Sequence, residues 1–330
     1  MGLELGGAGR AESSAARKAR DLIVLGSGPA GLSAALYAAR ADRAPLILTG
    51  QELGGQAGLT HVIENYPGFP EGVGGAELGQ LFQKHAERFG AQVELDSATA
   101  VDLTLWPFHV STYSSEYDAR TLIIATGASP RKLKVPGEQE LTGRGVSYCA
   151  TCDGWFFKGK DVVVVGGGDS ALEEGLFLTR YASHVTIVHR REELRAGRLL
   201  RQRAERNEKI SFMLSSVVQA VRGETTVTSV TLRNVITGAV EERQTQGVFI
   251  FIGHDPNTDF LRGQVELDAK GYVVADTRMR TSVPGVFVAG EAADSVFRQV
   301  ATSVGMGVAA AMSAESWLAE REAELAETRA

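Results

Sequence analysis

The sequence predicts an α/β protein built from two Rossmann-like dinucleotide-binding domains with parallel sheets, the second inserted in the first. Three observations lead to this prediction. An apolar strand that runs into a glycine-rich turn and a helix occurs twice, the two copies agree in spacing to the residue, and each copy later closes with an apolar strand that ends at glycine. Alternation of strands and helices is typical of parallel sheets with crossover helices.

The chain is long enough for two ordinary domains, and its composition excludes several functional classes. At about 150 residues per domain, 330 residues with 44% hydrophobic and 22% charged residues allow two cores. The formal net charge of −6 argues against nucleic acid as the main partner. The chain contains only two cysteines. This excludes a disulfide-stapled secreted framework, so we expect a cytoplasmic protein.

The first copy begins at Asp21 with the strand Leu22–Leu25. A helix continues to Arg40, and a second strand, Leu46–Leu48, ends at Thr49. The turn between the first strand and the helix consists of Gly26, Ser27, Gly28, Pro29, Ala30 and Gly31. Positions 22–39 are uncharged over 18 residues, the usual threshold of a membrane span, but the glycines and the proline fit a turn better. We therefore expect no membrane attachment.

The second copy begins at Asp161, and the four valines Val162–Val165 suit a fully buried parallel strand. A helix follows to about Tyr181, and the next strand, Val185–Val188, ends at His189. The turn of this copy consists of Gly166, Gly167, Gly168, Asp169, Ser170 and Ala171. Thr49 lies 18 positions after the end of the first turn, and His189 lies 18 positions after the end of the second. This agreement in register indicates an internal duplication.

Two segments that contain glycine and proline, Gly127–Gly137 and Gly253–Thr258, are interpreted as linkers. The chain after the second linker has strand character over 265–288 and a helix from about residue 298 to 320, and it is too short for a third nucleotide domain. We therefore assign it to the first domain. The predicted division is a flexible tail over 1–20, a first domain over 21–131 and 254–330, and an inserted domain over 132–253.

The residues that follow each turn discriminate between dinucleotides. Glycines let the backbone approach a pyrophosphate at a helix N-terminus, and a later side chain contacts the ribose. The first copy offers Thr49 and Glu52 there, whereas the second offers His189 and three arginines, Arg190, Arg191 and Arg195. Guanidinium groups bind a 2′-phosphate that a carboxylate would repel, so we expect NADPH rather than NADH in the second domain. The alternative is that these arginines only begin a basic, solvated helix.

The two cysteines, Cys149 and Cys152, form a C-x-x-C motif that is followed by Asp153. A zinc site would need two more ligands, and no second cysteine pair exists, so we predict no metal. A redox dithiol is favoured because this spacing permits an exchangeable disulfide with a lowered thiol pKa. Asp153 is a candidate general acid for a departing thiolate, the alternative being that it only caps the turn. Glu173 and Glu174 on the second nucleotide helix are interpreted as a solvated face.

Six motifs together resemble the low-molecular-weight thioredoxin reductases of the pyridine nucleotide-disulfide oxidoreductase family. The match runs in order from about Asp21 to Leu318. The resemblance implies that the first dinucleotide is FAD, and that the protein is a homodimer with thioredoxin as its protein substrate. The motifs are Gly26–Gly31, Gly54–Gln56, Ala125–Gly127, Cys149–Gly154, His189–Arg191 and Gly253–Thr258.

The resemblance also assigns cofactor-binding residues by position. Those expected at FAD are Gly26, Ser27, Gly28, Pro29, Ala30, Gly31, Thr49, Gly50, Glu52, Gly55, Gln56, Asn65, Thr126, Gly127, Gly290, Glu291, Arg298, Gln299 and Val300. Those expected at NADPH are Gly166, Gly168, Asp169, Ser170, His189, Arg190, Arg191 and Arg195. Three positions depart from the family pattern. Glu291 replaces the usual Asp, Val300 the usual Ala, and Asp169 a frequent Asn, which adds negative charge near a phosphate site.

The resemblance implies that electrons pass from NADPH to FAD, then to the Cys149–Cys152 disulfide, then to thioredoxin. Cys152 is expected to face the flavin, Cys149 to attack thioredoxin, and Asp153 to act as acid–base. Nicotinamide and dithiol both belong to the inserted domain and must reach one flavin, so we expect this domain to rotate on its linkers between half-reactions. Two alternatives stay open. One is a reductase of the same fold for another acceptor, such as a peroxidase disulfide domain or ferredoxin, and the other is a non-enzymatic redox sensor.

Overall fold

The structure is a computed structural model that describes residues 17–60 and 62–328. Its first strand, β1 (Lys18–Leu25), begins inside the predicted flexible tail, whose residues 1–16 lie outside the described part. Residues 18–20 pair in register with residues 117–119. The tail boundary at residue 20 is therefore wrong, because ladder hydrogen bonds extend the strand beyond its apolar residues and leave no hydrophobic signal in the sequence.

A parallel sheet forms the centre of the first domain. Along the chain β1 is followed by α1 (Pro29–Arg40), β2 (Leu46–Leu48), α2 (Gly55–Gly58), α3 (Gly75–Arg88), β3 (Gln92–Glu94), β4 (Ala98–Asp102), β5 (Phe108–Thr112) and β6 (Glu116–Ile124). β1 lies between β2 and β6 and is parallel to both, and β3 extends the sheet beyond β2. β4 and β5 add an antiparallel extension to the first half of β6.

The inserted segment forms a second parallel sheet. After β7 (Ala128–Pro130), which lies in the first linker, the inserted segment contains β8 (Val146–Ser147), α4 (Ala150–Asp153), β9 (Asp161–Val165), α5 (Asp169–Leu178), β10 (His184–Val188), α6 (Arg198–Glu205), β11 (Ile210–Met213), β12 (Ser216–Arg222), β13 (Ser229–Asn234), β14 (Val240–Gln244) and β15 (Gly247–Ile250). β16 (His254–Pro256) lies in the second linker. The parallel strands follow the order β11-β10-β9-β15-β8, and β12-β13-β14 form a separate antiparallel sheet. The predicted parallel sheets are confirmed, and the antiparallel additions are not visible in the alternation pattern.

The segment after the second linker returns to the first sheet. It contains β17 (Val286–Val288) and the long helix α7 (Val300–Glu327). β17 pairs in parallel with the second half of β6, which gives the order β3-β2-β1-β6-β17. The first four strands repeat the arrangement β11-β10-β9-β15 of the inserted sheet, so the duplication seen in the sequence extends to the topology. The fifth place differs, because β17 comes from the end of the chain whereas β8 precedes β9. Residues 265–288, expected to have strand character, form β17 and two isolated bridges.

The two predicted linkers pair with each other. β7 and β16 form a two-stranded antiparallel ribbon in which Ser129 lies opposite Asp255. An ion pair between Arg131 and Asp255 lies on this ribbon. Asn257 then ties the ribbon to the end of β6, because its N–H donates to the carbonyl of Gly127 and its side-chain amide to that of Thr126, both at 2.9 Å. The connections between the domains are therefore an ordered ribbon.

Close packing of α7 against α1 fixes the start of α1. A Cβ atom at Gly307 would lie 2.1 Å from the carbonyl oxygen of Ala30, so the two helix backbones touch there. Alanine residues from both helices fill the layer between them and the sheet. This packing holds the glycine-rich turn at the carboxyl end of β1. Within residues 17–60 and 62–328, no helix is long and apolar enough to cross a membrane.

Candidate active site

A cavity of about 1480 Å³ lies between the two domains at the carboxyl ends of β1, β2 and β6. Its walls include every residue predicted for FAD except Gly31, together with Cys149, Cys152 and Asp153. Open α/β sheets bind their ligands at this edge, where the strand order reverses. The structure therefore brings the predicted FAD residues and the predicted redox residues into one cavity.

The glycine-rich turn after β1 is shaped by close packing. A Cβ atom at Gly31 would lie 1.9 Å from the carbonyl oxygen of Gly26, so α1 can approach β1 this closely only with glycine there. At Gly28, which directly precedes α1, an added Cβ would meet no atom within 4 Å, so this side of the turn is open. The Ser27 hydroxyl donates to the carbonyl of Thr49 at 2.9 Å. Ser27 therefore holds the turn together rather than presenting a free hydroxyl to the cavity.

Arg298 lies just before α7 and forms a hydrogen bond to the ribbon of β7 and β16. Its φ of 51° is left-handed, and its N–H donates to the Asp294 carboxylate at 2.9 Å. Its guanidinium group donates to the carbonyl of Ser295 at 2.6 Å and to Nδ1 of His254 in β16 at 3.1 Å. Because guanidinium has only donors, His254 must accept and is neutral. Burial and the charge of Arg298 agree with this, since they lower the pKa of His254 to about 4.

Glu291 is a buried carboxyl group in the cavity wall. It lies in the short 3₁₀ turn Gly290–Ala292 that follows β17. Burial raises the pKa of Glu291 to about 7, although the nearby charge of Arg298 opposes this shift. Glu291, one methylene longer than the usual Asp, therefore lies in a buried environment that disfavours the charged carboxylate.

Glu291→Gln should flatten the pH dependence of stability of the flavin-free protein. Folding raises the pKa of Glu291 from 4.5 to about 7, so the folded protein holds this proton more tightly than the unfolded chain does. The resulting contribution to the free energy of unfolding is complete below pH 4.5 and is lost as the pH rises through about 7. The loss amounts to at most about 3 kcal/mol. Urea unfolding should therefore show the variant more stable than the original at pH 8, by about 2 kcal/mol, and equal at pH 4. The exposed Glu71→Gln is the control, and identical pH profiles for original and Glu291→Gln would refute the expectation.

The two cysteines form a disulfide at the start of α4. Cys149 is the residue before the helix, and its sulfur accepts a hydrogen bond from the N–H of Cys152 at 3.2 Å. Oγ1 of Thr151 lies 3.3 Å from the same sulfur. Donors at a helix N-terminus stabilise a thiolate. The local geometry therefore suits thiol–disulfide exchange, with Cys149 the better stabilised sulfur.

Asp153 lies one residue after Cys152 and is held by Ser147 in β8. The Ser147 hydroxyl donates to Oδ2 of Asp153 at 2.6 Å, and it also accepts from the N–H of Cys149 at 3.1 Å. Burial raises the pKa of Asp153, although the Ser147 hydrogen bond opposes the shift. A carboxyl group with a raised pKa holds its proton more readily than an exposed Asp does, which agrees with the predicted acid–base role.

A chain of hydrogen bonds crosses from the first domain to the dithiol. The Asn65 amide donates to Oε1 of Gln299 at 3.1 Å, and Gln299 donates from Nε2 to Oγ1 of Thr151 at 3.2 Å. Gln299 directly precedes α7, and Thr151 lies between the two cysteines. In this structure the dithiol is therefore docked on the first-domain cavity through a side chain predicted for FAD.

Glu174 is a site residue that the sequence interpretation missed. Glu173 is exposed, as expected for a solvated face, but Glu174 lines the cavity, and its Oε2 is buried without a partner among the described residues. Burial raises the pKa of Glu174, while a hydrogen bond from the backbone of Ala150 in α4 opposes the shift. Helical spacing from the buried residues Ala171 and Leu178 places Glu174 on the inner face of α5, a signal that could have found it.

The second glycine-rich turn lies apart from this cavity. Of the residues predicted for NADPH, Ser170 alone appears in the cavity wall. His189 is buried, and a Cβ atom at Gly167 would lie 2.3 Å from its Nδ1, so the imidazole ring packs directly on the turn. The three arginines predicted for the 2′-phosphate are exposed, and within residues 17–60 and 62–328 they form no ion pair. These are Arg190, Arg191 and Arg195.

His184 and His189 have the spacing of a zinc-binding histidine pair, but the structure separates them. They lie five positions apart along β10 and its end, which places their side chains on opposite faces. Nε2 of His184 is 2.8 Å from the hydroxyl of Ser211. Among the described residues no group of three or more His, Cys, Asp or Glu side chains could hold a metal ion.

Comparisons with known proteins identify the class to which this fold and site belong. The sequence profile of the pyridine nucleotide-disulphide oxidoreductases matches residues 20–307. A curated thioredoxin reductase of Mycolicibacterium smegmatis is 47% identical over 310 residues, which cover 94% of this chain and 100% of that protein. The chain belongs to the pyridine nucleotide-disulphide oxidoreductase family, and it is an oxidoreductase. Within the family its relatives are thioredoxin reductases, as the sequence motifs predicted.

Two solved structures match the chain unequally. The crystal structure of thioredoxin reductase from Streptococcus pyogenes MGAS5005 has a TM-score of 0.88 at 41% identity and covers 92% of this chain and 99% of its own. The Lactococcus lactis thioredoxin reductase, described as the FR conformation, has a TM-score of 0.62 at the same 41% identity, with 91% and 99% covered. The two structures share the same sequence identity and nearly the same coverage with this chain, but their TM-scores differ. Two orientations of the same pair of domains would produce this difference.

Proposed function

We propose that this protein is an NADPH-dependent FAD enzyme that reduces the disulfide of a thioredoxin. One observation carries the proposal: the Cys149–Cys152 disulfide lines the same cavity as the glycine-rich turn after β1. A dithiol at this place can receive electrons inside the protein and deliver them to another disulfide. The name of the Mycolicibacterium smegmatis relative supports thioredoxin as the acceptor.

The residues around the first-domain cavity fit FAD. Two buried polar atoms in its wall, Oγ1 of Thr126 and Nε of Arg298, have no partner among the described residues, and buried polar atoms normally have one. The open side of the turn at Gly28 and the N-terminus of α1 would hold the pyrophosphate. The N-terminus of α7 at Val300 would stabilise negative charge on the ring system. When bound, FAD supplies the two-electron chemistry that connects nicotinamide with a disulfide.

The second turn and the arginines fit NADPH. An added Cβ at Gly168 would meet no atom within 4 Å, so the turn is open directly before α5. The N-terminus of α5 would hold the pyrophosphate. Arg190, Arg191 and Arg195 are exposed without carboxylate partners in the described chain, so they are available for a 2′-phosphate.

The reaction of the reduced dithiol with thioredoxin involves three side chains. The Cys149 thiolate attacks one sulfur of the thioredoxin disulfide, which forms a mixed disulfide and releases the other sulfur as a thiolate. Cys152 then attacks the sulfur of Cys149, which re-forms the Cys149–Cys152 disulfide and releases thioredoxin as a dithiol. Asp153 donates a proton to a departing thiolate, and two electrons and two protons pass to thioredoxin in total.

The test of the proposal is NADPH oxidation by the purified, FAD-loaded protein with and without a thioredoxin. We expect steady oxidation only when oxidised thioredoxin is present, with thioredoxin thiols appearing in equal amount. Steady turnover with a peroxidase disulfide domain or a ferredoxin, but not with thioredoxin, would support the alternative reductase. A single reduction without turnover for any acceptor would support a redox sensor.

Rotation of the inserted domain is the second part of the proposal. In this structure the dithiol lines the cavity proposed for the flavin, and a nicotinamide that approaches the flavin from the same side needs the inserted domain in another orientation. The ribbon of β7 and β16 is the place where the two domains connect. The unequal match of two structures at 41% identity supports two orientations. Breaking the Gln299–Thr151 hydrogen bond is then part of each cycle.

A cross-link that holds the two domains together should abolish turnover. Phe297 is an exposed aromatic residue of the cavity wall, which the inserted domain also lines with the exposed Phe156. Phe297→p-benzoylphenylalanine, once irradiated, should lose NADPH-dependent thioredoxin reduction in proportion to the cross-linked fraction, which peptide mapping measures. The same variant without irradiation is the matched control. Full turnover in cross-linked protein would rule out the rotation.

The homodimer and the cytoplasmic location stay predictions from the resemblance. Light scattering of the FAD-loaded protein should give about twice the mass of the 35.2 kDa chain. Fractionation of the producing cells should place the protein in the cytoplasm. A monomer at micromolar concentration would contradict the first prediction.

A further inference from the structure

We propose that Asp169 is a positioning residue that holds the arginine-bearing segment in place and thereby sets the preference for a 2′-phosphorylated nucleotide. The inference depends on the proposed NADPH site. It goes beyond that proposal because it assigns the side chain to the arginine segment and not to the pyrophosphate. The inference rests on one hydrogen bond, which the backbone N–H of Gly197 donates to the Asp169 carboxylate at 2.7 Å.

The arginine segment, residues 189–197, contains no helix or strand. At its beginning, His189 is tied by backbone hydrogen bonds to Met213 and Ser216. At its far end three N–H groups point back to the glycine-rich turn. Those of Arg195 and Ala196 donate to the carbonyl of Gly167 at 2.7 and 3.1 Å, and that of Gly197 donates to Oδ1 of Asp169. The segment is thus folded directly over the turn that is proposed to hold the pyrophosphate.

Asp169 provides the one side-chain acceptor in these three hydrogen bonds. The two bonds to Gly167 use a backbone carbonyl, which substitution does not change, so the residue at position 169 determines whether the third bond forms. Asp169 is the first residue of α5, and Gly197 directly precedes α6. A carboxylate placed at the N-termini of two helices is favoured by both helix dipoles.

The charge of Asp169 and its position have separable effects. Negative charge beside a phosphate-binding turn disfavours every nucleotide that carries a 5′-phosphate, with or without a 2′-phosphate. Displacement of the arginines, in contrast, weakens only a ligand with a 2′-phosphate. Asp169→Asn removes the charge and keeps an oxygen acceptor for Gly197, whereas Asp169→Ala removes both. The two substitutions therefore distinguish a positioning role from a purely electrostatic one.

The experiment measures the affinity of the FAD-loaded protein for adenosine 2′,5′-bisphosphate and for adenosine 5′-monophosphate by calorimetry. Compared with Asp169→Asn, which lacks the same charge, Asp169→Ala should bind the bisphosphate roughly five- to tenfold more weakly, the loss expected for one neutral hydrogen bond, and should bind the monophosphate equally well. Asp169→Asn should keep the affinity ratio of the original protein. The KM values for NADPH and NADH should follow the same pattern.

The donor side provides an independent pair of variants. Gly197→Pro removes the N–H at a residue whose φ of −57° already suits proline, so it should reproduce the loss seen with Asp169→Ala. Gly197→Ala keeps the N–H, and its added Cβ would lie an ordinary 3.6 Å from Oδ1 of Asp169, so it should behave like the original protein.

Each other outcome overturns the inference. An unchanged affinity ratio in both Asp169→Ala and Gly197→Pro would show that the bond does not position the arginines. An equal loss for both nucleotides, or a loss in Asp169→Asn as large as in Asp169→Ala, would show an electrostatic or structural role. An original protein that binds the bisphosphate no better than the monophosphate would overturn the NADPH proposal itself. Discrimination in the original protein together with an insensitive Asp169→Ala would overturn the positioning role alone.

Discussion

Cys149→Ser should lower NADPH-dependent reduction of thioredoxin by roughly a thousandfold or more, the loss typical of a removed nucleophile. Reduction of the bound flavin by NADPH should persist, because the residues proposed for both dinucleotides are untouched. The reason is the position of Cys149: its sulfur is the one that accepts the hydrogen bond from the Cys152 N–H, and its thiolate is therefore the better stabilised. Stopped-flow absorbance of the flavin and a thioredoxin assay measure the two steps separately.

Cys152→Ser is the matched variant, because it leaves one thiol at the same site. With Cys149 intact and no second sulfur to resolve the intermediate, oxidised thioredoxin should be trapped as a mixed disulfide. Mass spectrometry should find this adduct with Cys152→Ser and not with Cys149→Ser. The opposite pattern would reverse the roles of the two cysteines, and thioredoxin reduction that survives in Cys149→Ser would refute the dithiol mechanism.

Replacing Arg190 and Arg191 together with alanine should raise the KM for NADPH by about a hundredfold or more, since each charged hydrogen bond contributes about 1.5–3 kcal/mol. The KM for NADH should change little, because NADH has no 2′-phosphate. Both guanidinium groups are exposed, and within the described residues neither has a carboxylate partner, so their removal leaves no buried charge unpaired. The fold should therefore survive, and circular dichroism should confirm it.

The control for lost positive charge is the double replacement of Arg203 and Arg206, which are exposed at the far end of α6. This variant removes the same charge from the basic helix and should leave both KM values within about twofold. An equal increase of KM for NADPH and NADH in the first variant would indicate that Arg190 and Arg191 only support the structure. A matching effect in the control would indicate that general positive charge, not two specific side chains, attracts the nucleotide.

Features that depend on a few consecutive residues could be predicted from the sequence. The strands before each glycine-rich turn, the helix α1 and the strand Leu46–Leu48 lie where the pattern placed them. The first dinucleotide turn is local, because a Cβ atom at Gly31 would lie 1.9 Å from the carbonyl oxygen of Gly26 within the turn itself. The linkers were less predictable. Their glycine and proline content indicates irregular chain, and the ribbon of β7 and β16 forms only because two distant segments supply each other's hydrogen bonds.

By itself the sequence determined the duplicated α/β plan, the redox cysteine pair and the arginines proposed to select the nucleotide, because each is encoded within about 30 consecutive residues. Only the tertiary structure decided how these parts face one another. The hydrogen bond from Gln299 to Thr151 joins residues 148 positions apart, and that from Gly197 to Asp169 joins residues 28 apart. Such contacts leave no periodic signal in the chain, since their geometry follows from the packing of whole elements and not from the preferences of neighbouring residues.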